Sequence, residues 1–261
     1  MSLTMPGRPL ASHSPDTVNY RIDGPLHRIY FDDFPRQVRA VFSGETLLDT
    51  TGAKLLHESN LLPMLYVPRS DVVTELLEPT DRSTHCPFKG DASYWSVRVG
   101  DRVAEDAVWA YEHPLEPARW LAGYVGLYWT SMDAWFDEDE EVHGHLRDPY
   151  HRVDVRPSRR TVTVTVAGEV LGQSDRPMLL SETALPNRWY LPPGAVAMDT
   201  LVPSETHTHC PYKGDASYWS ARVGDRVIAD VAWSYPEPFD DARRVEGYLC
   251  FDGDEVSTEI G

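Results

Sequence analysis

A cysteine and a lysine lie three positions apart in a turn-forming sequence, and this pair occurs twice. The first copy is Cys86-Pro-Phe-Lys-Gly90 and the second is Cys210-Pro-Tyr-Lys-Gly214. Proline at the second place and glycine at the last favour a β-turn, which brings the first and fourth Cα atoms within roughly 7 Å. An ammonium group beside a thiol favours the nucleophilic thiolate. The candidate catalytic residues are therefore Cys86, Lys89, Cys210 and Lys213.

Lysine is rare elsewhere in the chain. Of 24 basic residues, only Lys54, Lys89 and Lys213 are lysine. Arginine keeps a surface charge equally well, but it is bulkier, forked and never deprotonated. Because two of the three lysines occupy the repeated motif, we infer that an ammonium group is required there. It could bind an anionic group of a ligand or pair with a carboxylate.

The motif belongs to a longer internal duplication. Residues 84–103 and 208–227 agree at 18 of 20 positions, with an offset of 124 residues. Packing alone tolerates swaps between hydrophobic residues of similar volume, so this identity points to a site. We divide the chain into a leader at 1–27, a first repeat domain at 28–142, a linker at 143–150 and a second repeat domain at 151–261.

Both repeats are predicted to be mainly β. Short alternating runs such as Val162–Val166 are interrupted by Gly, Pro and Asp, and helical periodicity is scarce. The clearest element is a hairpin with strands at 92–99 and 102–109, joined by a two-residue Gly-Asp turn. Two β-rich domains in tandem are therefore the expected fold.

The register of this hairpin makes a prediction about one aspartate. Pairing Val99 with Arg102 places Trp95 opposite Asp106, on a face that is otherwise apolar. An unpaired charge on such a face would be costly. We therefore expect Asp106, and Asp230 in the second repeat, to be buried and hydrogen-bonded. The expected partners are the motif lysines or nearby Trp and Tyr donors.

Other residues that could bind a ligand are of the same type in both repeats. Tyrosine and tryptophan line small-molecule sites as well as cores, and carboxylates and imidazoles add polar contacts. The candidate ligand-binding residues are Glu58, Tyr66, His85, Tyr94, Trp95, Asp106, Trp109 and Tyr111 in the first repeat, and Glu182, Tyr190, His209, Tyr218, Trp219, Asp230, Trp233 and Tyr235 in the second.

A structural role for the same residues stays open. Cys86 could be a small buried side chain, and Lys89 could pair with Asp106 or Glu58 to hold the loop. Metal binding is disfavoured, because the sequence has no Cys-x-x-Cys pair and the neighbours His85 and Cys86 would point to opposite faces of a strand. No cofactor motif is evident, and we expect neither a structural zinc nor a bound dinucleotide.

The composition argues against two classes of partner, nucleic acids and membranes. The formal net charge is −17, so the average surface repels a phosphate backbone and argues against nucleic acid. No apolar run reaches the roughly 18 to 20 residues of a membrane helix, and the N-terminus lacks the apolar segment of a signal peptide. We expect a soluble cytoplasmic protein without a membrane partner.

The motif and its surroundings resemble a known family. The combination Cys-Pro-[Phe/Tyr]-Lys-Gly-x-Ala-x-Tyr-Trp-Ser, followed by Glu-Asp-Ala-Val-Trp-Ala-Tyr111 and Ala-Asp-Val-Ala-Trp-Ser-Tyr235, is similar to the family catalogued as domain of unknown function 427. The resemblance implies two tandem β-tent-like domains, a fold shared with methionine sulfoxide reductase B and the ligand-binding domain of cereblon. It implies no established activity. Several β-tent relatives hold a zinc ion with four cysteine ligands, and those cysteines are missing here.

Two functions of different classes follow. The leading hypothesis is a small-molecule site in each repeat, catalytic or not, in which the lysines hold an anionic group and the aromatic residues form the walls. The alternative is a non-catalytic structural or protein-interaction module that presents an acidic surface to a partner.

Overall fold

The computed structural model describes residues 3, 4, 8, 12, 13, 19 and 24–261. The chain is mainly β and divides into two compact units, Met1–Asp148 and Pro149–Gly261. Most of the predicted leader lies outside the described residues. Within the described part of the chain, no helix is long and apolar enough to cross a membrane.

The first unit contains two antiparallel sheets. Along the seven-stranded sheet the order is Ile29–Asp33 (β1), Lys54–Glu58 (β4), Met64–Pro68 (β5), Tyr124–Leu127 (β9), Arg102–Ala110 (β8), Gly90–Val99 (β7) and Leu77–Cys86 (β6). The four-stranded sheet consists of Glu140–Val142 (β11), Ala134–Asp137 (β10), Val38–Phe42 (β2) and Glu45–Thr50 (β3). In the described part of this unit, four short 3-10 helices connect the strands, at Arg69–Asp71 (η1), Thr74–Leu76 (η2), Glu116–Leu121 (η3) and Trp129–Ser131 (η4).

The second unit repeats this plan. Its seven-stranded sheet runs Val153–Pro157 (β12), Met178–Glu182 (β15), Arg188–Leu191 (β16), Leu249–Phe251 (β20), Arg226–Ser234 (β19), Gly214–Val223 (β18) and Leu201–Cys210 (β17). A three-stranded sheet contains Glu169–Ser174 (β14), Val162–Val166 (β13) and Val256–Ile260 (β21). The 3-10 helices are Pro193–Ala195 (η5), Met198–Thr200 (η6) and Asp240–Val245 (η7). The large sheet has the same order of equivalent strands as in the first unit.

Each large sheet is covered on both faces. In the first unit one face packs against the small sheet, in a core that includes Leu48 and Trp95. The opposite face carries a second cluster, in which Tyr66 and Trp109 pack with Leu121 of η3. Successive strand residues point to opposite faces, so neighbouring residues of β7 enter different cores. The candidate site lies on the face covered by the 3-10 helix.

The β7–β8 hairpin has the predicted turn but a different register beyond it. Val99 pairs with Arg102, as expected. A β-bulge then shifts the register, so Trp95 lies opposite Val108 and the prediction that it faces Asp106 is wrong. Asp106 occupies the bulge with φ 50°, in the left-handed region. A bulge inserts residues into one strand and bends it, which carries this side chain away from the apolar face.

The second unit has the same irregularity. Trp219 pairs with Ala232 across the β18–β19 hairpin, after a shift between Trp219 and Ala221. Asp230 has φ 51°. Both aspartates are only partly buried, which corrects the expectation that the apolar face would enclose them.

Candidate functional site

The Cys-Pro-x-Lys-Gly sequence forms the predicted tight turn in both repeats. The Lys89 N–H donates to the Cys86 carbonyl at 3.3 Å, and the equivalent bond from Lys213 to Cys210 is 3.2 Å. The glycine that follows each lysine has φ 105° in the first copy and 95° in the second. A side chain disfavours this backbone conformation, so glycine is required at the end of the turn.

The turn presents the lysine side chain to a buried carboxylate. In the first repeat, Nζ of Lys89 donates a hydrogen bond to Oε2 of Glu58, and these side chains are 9% and 8% exposed. Nε2 of His27 lies 2.7 Å from Oε1 of the same carboxylate. The imidazole stacks on the ring of Phe88, with centroids 3.7 Å apart. We call this arrangement of three residues the His–Glu–Lys cluster.

The second repeat contains the same cluster. Nζ of Lys213 donates to Oε2 of Glu182, and Nε2 of His151 lies 2.9 Å from Oε1. The His151 side chain is 1% exposed and lies 4.0 Å from the ring of Tyr212. Its Nδ1 atom is buried and has no hydrogen-bond partner among the described residues.

Electrostatics favour the charged form of Glu182. Burial disfavours ionisation, but hydrogen bonds from His151 and Lys213 and the positive charge of the ammonium outweigh it. The pKa of the Glu182 carboxyl is therefore held below its ordinary value of 4.5. A carboxylate that accepts two hydrogen bonds in a closed setting is a rigid anchor for the lysine.

Beside the cluster lies a repeated tryptophan–tyrosine pair. Nε1 of Trp109 donates to the hydroxyl oxygen of Tyr66 at 3.2 Å, and Trp233 donates to Tyr190 at the same distance. Burial raises the pKa of both tyrosine hydroxyls, so they remain neutral at physiological pH. The pair fixes the orientation of the indole ring.

In the second repeat, the carboxylate and the lysine of the cluster line a pocket of about 450 Å³ together with the tryptophan–tyrosine pair. Seven of the predicted site residues line it together, and they come from the four strands β15, β16, β18 and β19, from the turn after β17 and from the segment after β19. They are Glu182, Tyr190, Lys213, Tyr218, Asp230, Trp233 and Tyr235. Two further charged residues line the pocket, Arg188 and Asp252. Comparison of the repeats gives no signal for them, because the first repeat has Met64 and Tyr128 at those positions.

Other predicted residues lie elsewhere. Trp95 and Trp219 pack into the cores on the opposite faces of the large sheets. His85 and His209 bind the exposed carboxylates of Asp91 and Asp215, at 2.6 and 2.7 Å.

The motif cysteines are partly buried against the aromatic clusters. Cys86 packs beside the cluster that contains Tyr66, and Cys210 packs beside the one that contains Tyr190. Cys210 is absent from the wall of the described pocket. The turn therefore delivers the lysine, but not the thiol, to this cavity.

The aspartates at the bulges do not pair with the motif lysines. Oδ1 of Asp106 accepts from Thr80 Oγ1 at 2.6 Å, and Oδ2 lies 3.4 Å from Arg82. In the second repeat, Thr206 Oγ1 donates to Asp230 at 2.8 Å. The predicted partnership with lysine or aromatic donors is wrong, because the bulge turns each aspartate toward strand β6 or β17.

The histidine of the first cluster lies outside the predicted first repeat. That repeat begins at Arg28, so His27 falls in the predicted leader. The 124-residue offset extends further, since Pro25-Leu-His-Arg28 corresponds to Pro149-Tyr-His-Arg152. Laying the repeats on each other from Pro25 would have identified His27 and His151.

The described residues show no group of three His, Cys, Asp or Glu side chains arranged to hold a metal ion. A family model described as a domain of unknown function (DUF427) matches the chain twice, at residues 31–138 and 154–260. The comparison with curated proteins found no significant match.

Proposed function

Because the chain belongs to the domain of unknown function 427 family, whose description names no activity, we propose a function from the site itself: the second repeat binds a small polar molecule. The site is the pocket lined by Trp233, Glu182 and Lys213. The observation that carries the proposal is the convergence of seven residues of unchanged type on a single cavity.

The size and chemistry of the cavity support this proposal. Ligand pockets commonly have volumes of about 300 to 1,000 Å³, with aromatic walls and a few fixed polar groups. Trp233 and Tyr190 supply a rigid aromatic wall, because each restrains the other through a hydrogen bond. The ammonium of Lys213 and the hydroxyls of the pocket tyrosines supply donors for a polar ligand.

The charge of the lysine is already compensated. Glu182 accepts a hydrogen bond from Lys213, so an anionic ligand would have to compete with a buried carboxylate. An anionic group therefore gains less from Lys213 than the sequence led us to expect. We propose that the lysine orients a polar group by hydrogen bonding.

Binding, rather than thiol chemistry, is the proposed activity. The motif cysteine does not line the pocket, whereas the lysine and the carboxylate do. The first repeat also differs beside the pair of Tyr66 and Trp109. There the ring of Tyr128 lies 4.7 Å from Trp109, at the position where the second repeat has Asp252. We therefore assign the proposed site to the second repeat, in a protein that we continue to expect in the cytoplasm.

Tryptophan NMR tests this proposal on the full chain. We would label the indole nitrogens with 15N, assign Trp233 and its counterpart Trp109 with Trp→Phe variants, and titrate in small neutral, cationic and anionic fragments. The expected result is a saturable shift of the Trp233 signal without a shift of Trp109. If every fragment leaves Trp233 unmoved at millimolar concentration, the site is structural and the alternative of an interaction module stands.

A further inference from the structure

The first repeat has an arginine, Arg82, at a position where the second repeat has the smaller Thr206. The guanidinium carbon of Arg82 lies 4.5 Å above the ring centroid of Tyr94. A nitrogen of the same group is 3.4 Å from Oδ2 of Asp106. Arg82 therefore bridges an aromatic face and a carboxylate, which is a favourable setting for a cation.

The second repeat keeps the aromatic ring and the carboxylate but has no arginine there. Thr206 stands at the position equivalent to Arg82, and Tyr218 and Asp230 correspond to Tyr94 and Asp106. Thr206 donates a hydrogen bond to Asp230 but brings no charge. Across residues 24–261, no cation lies over the ring of Tyr218 and no ion pair involves Asp230. Both of these residues line the pocket.

The charges around the pocket leave Asp230 as the uncompensated group. Arg188 pairs with Asp252 at 2.8 Å, and Lys213 pairs with Glu182. The lining therefore contains three carboxylates and two cations, of which only Asp230 has no cationic partner among the described residues. Hydrogen bonds from Ser204 and Thr206 lower the pKa of Asp230, so its charge is present at neutral pH.

We propose, resting on the small-molecule function above, that the ligand of the second repeat carries a cationic group, a guanidinium or an amine, which binds between Asp230 and the ring of Tyr218. The group takes the place beside the ring and the carboxylate that the partly exposed side chain of Arg82 occupies in the first repeat. A planar guanidinium fits best, because it can face the ring and donate to the carboxylate at once.

Three probes of similar shape and different charge separate this inference from the proposed function. Benzylguanidinium is the cation, benzylurea its neutral isostere, and phenylacetate the anion. Titration followed at the Trp233 indole should show benzylguanidinium binding about tenfold more tightly than benzylurea, the advantage expected for a charge-assisted contact. Binding of benzylurea or phenylacetate at Trp233 with equal or greater affinity overturns the inference and leaves the proposed function standing. If none of the three probes shifts the Trp233 signal, the inference is wrong. If no compound of the fragment screen shifts it either, the proposed function is wrong as well.

Variants test the position of the cation. Asp230→Asn should remove the advantage of benzylguanidinium over benzylurea, and asparagine keeps an acceptor for Thr206 and tolerates a positive φ. Asp225→Asn, in the exposed hairpin turn, makes the same charge change and should leave both affinities unaltered. Equal losses in these two variants would show a general effect of charge and would contradict the site.

The variant Thr206→Arg places an arginine in the second repeat at the position that Arg82 occupies in the first. The arginine should cover Tyr218, pair with Asp230 and block benzylguanidinium, as a bound ligand would. This variant does not depend on removing any group of the pocket, so it remains informative if Asp230→Asn folds poorly. Unchanged benzylguanidinium binding in folded Thr206→Arg protein would overturn the proposal.

Discussion

Nζ of Lys213 donates a hydrogen bond to Oε2 of Glu182, and the two side chains are only 10% and 7% exposed. The same contact joins Lys89 to Glu58 in the first repeat. This pairing is one of the structural roles that the sequence leaves open for Lys89. In the second repeat the pair also lines a pocket, so anchoring and ligand contact are compatible roles for one lysine.

Replacing the buried lysine with arginine should destabilise the protein. The larger, forked side chain does not fit the space that the ammonium fills beside Glu182, and overpacking typically costs about 1–3 kcal/mol. We expect this loss for Lys213→Arg in urea unfolding. The matched control is Lys54→Arg, because Lys54 pairs with the exposed Asp33 and a surface change usually stays within about 0.5 kcal/mol. Equal stability of the two variants would show that the space around Lys213 accommodates a guanidinium.

Acid should weaken the contribution of Glu182 to stability. Its pKa in the folded protein is below the ordinary value of 4.5, so its contribution is complete above that pH and is lost as the pH falls through the folded pKa. The difference in unfolding free energy between the unmodified protein and Glu182→Gln should therefore be largest at neutral pH. It should shrink below pH 4.5, by at most about 1.4 kcal/mol per pH unit for one group. A difference that grows toward acid would contradict the assigned direction.

The three cysteines should differ in alkylation. Cys250 is 1% exposed, and burial raises the pKa of its thiol to about 12. Cys86 and Cys210 are partly buried, at the ends of strands β6 and β17. Iodoacetamide at pH 8, followed by peptide mass spectrometry, should modify these two in the native protein and Cys250 only after unfolding. Labelling of Cys250 at the rate of the other two would show that the second large sheet opens easily.

The bulge should make position 106 sensitive to side-chain shape. A β-branched residue at φ 50° is strained, by about 1–2 kcal/mol, and valine also loses the hydrogen bond from Thr80. Asp106→Val should therefore lower the free energy of unfolding, while Asp106→Asn should be close to neutral. Glu105→Val, on the exposed neighbouring residue, serves as the control. Equal effects of the two valine substitutions would argue against the bulge.

Local chemistry explains which structural predictions succeeded. The Pro-x-Lys-Gly turn and the Gly100-Asp101 hairpin turn depend on residues whose backbone preferences act within a few positions. The repeat offset predicted seven residues that line the pocket of the second repeat, because these residues are of the same type in both copies.

Features that depend on contacts between residues far apart in the chain could not be predicted from the sequence. At the bulge, Asp106 contacts Ser96 on the neighbouring strand β7 and Thr80 on the next strand, β6, with Ser96 Oγ accepting the Asp106 N–H at 3.1 Å. Alternation along β7 places Tyr94 in the cluster of Tyr66 and Trp109 and Trp95 in the opposite core, although both are of unchanged type in the second repeat. Identity between repeats therefore marked packing residues as well as site residues.

Crystals of the full chain soaked with the neutral, cationic and anionic fragments would test the central claim most directly. The claim is that the pocket lined by Trp233, Tyr190 and Lys213 holds a small molecule. We expect density for at least one fragment in contact with the Trp233 ring and with a polar group of the pocket. Fragments that bind only elsewhere on the chain, with this pocket holding water alone in every soak, would contradict the claim.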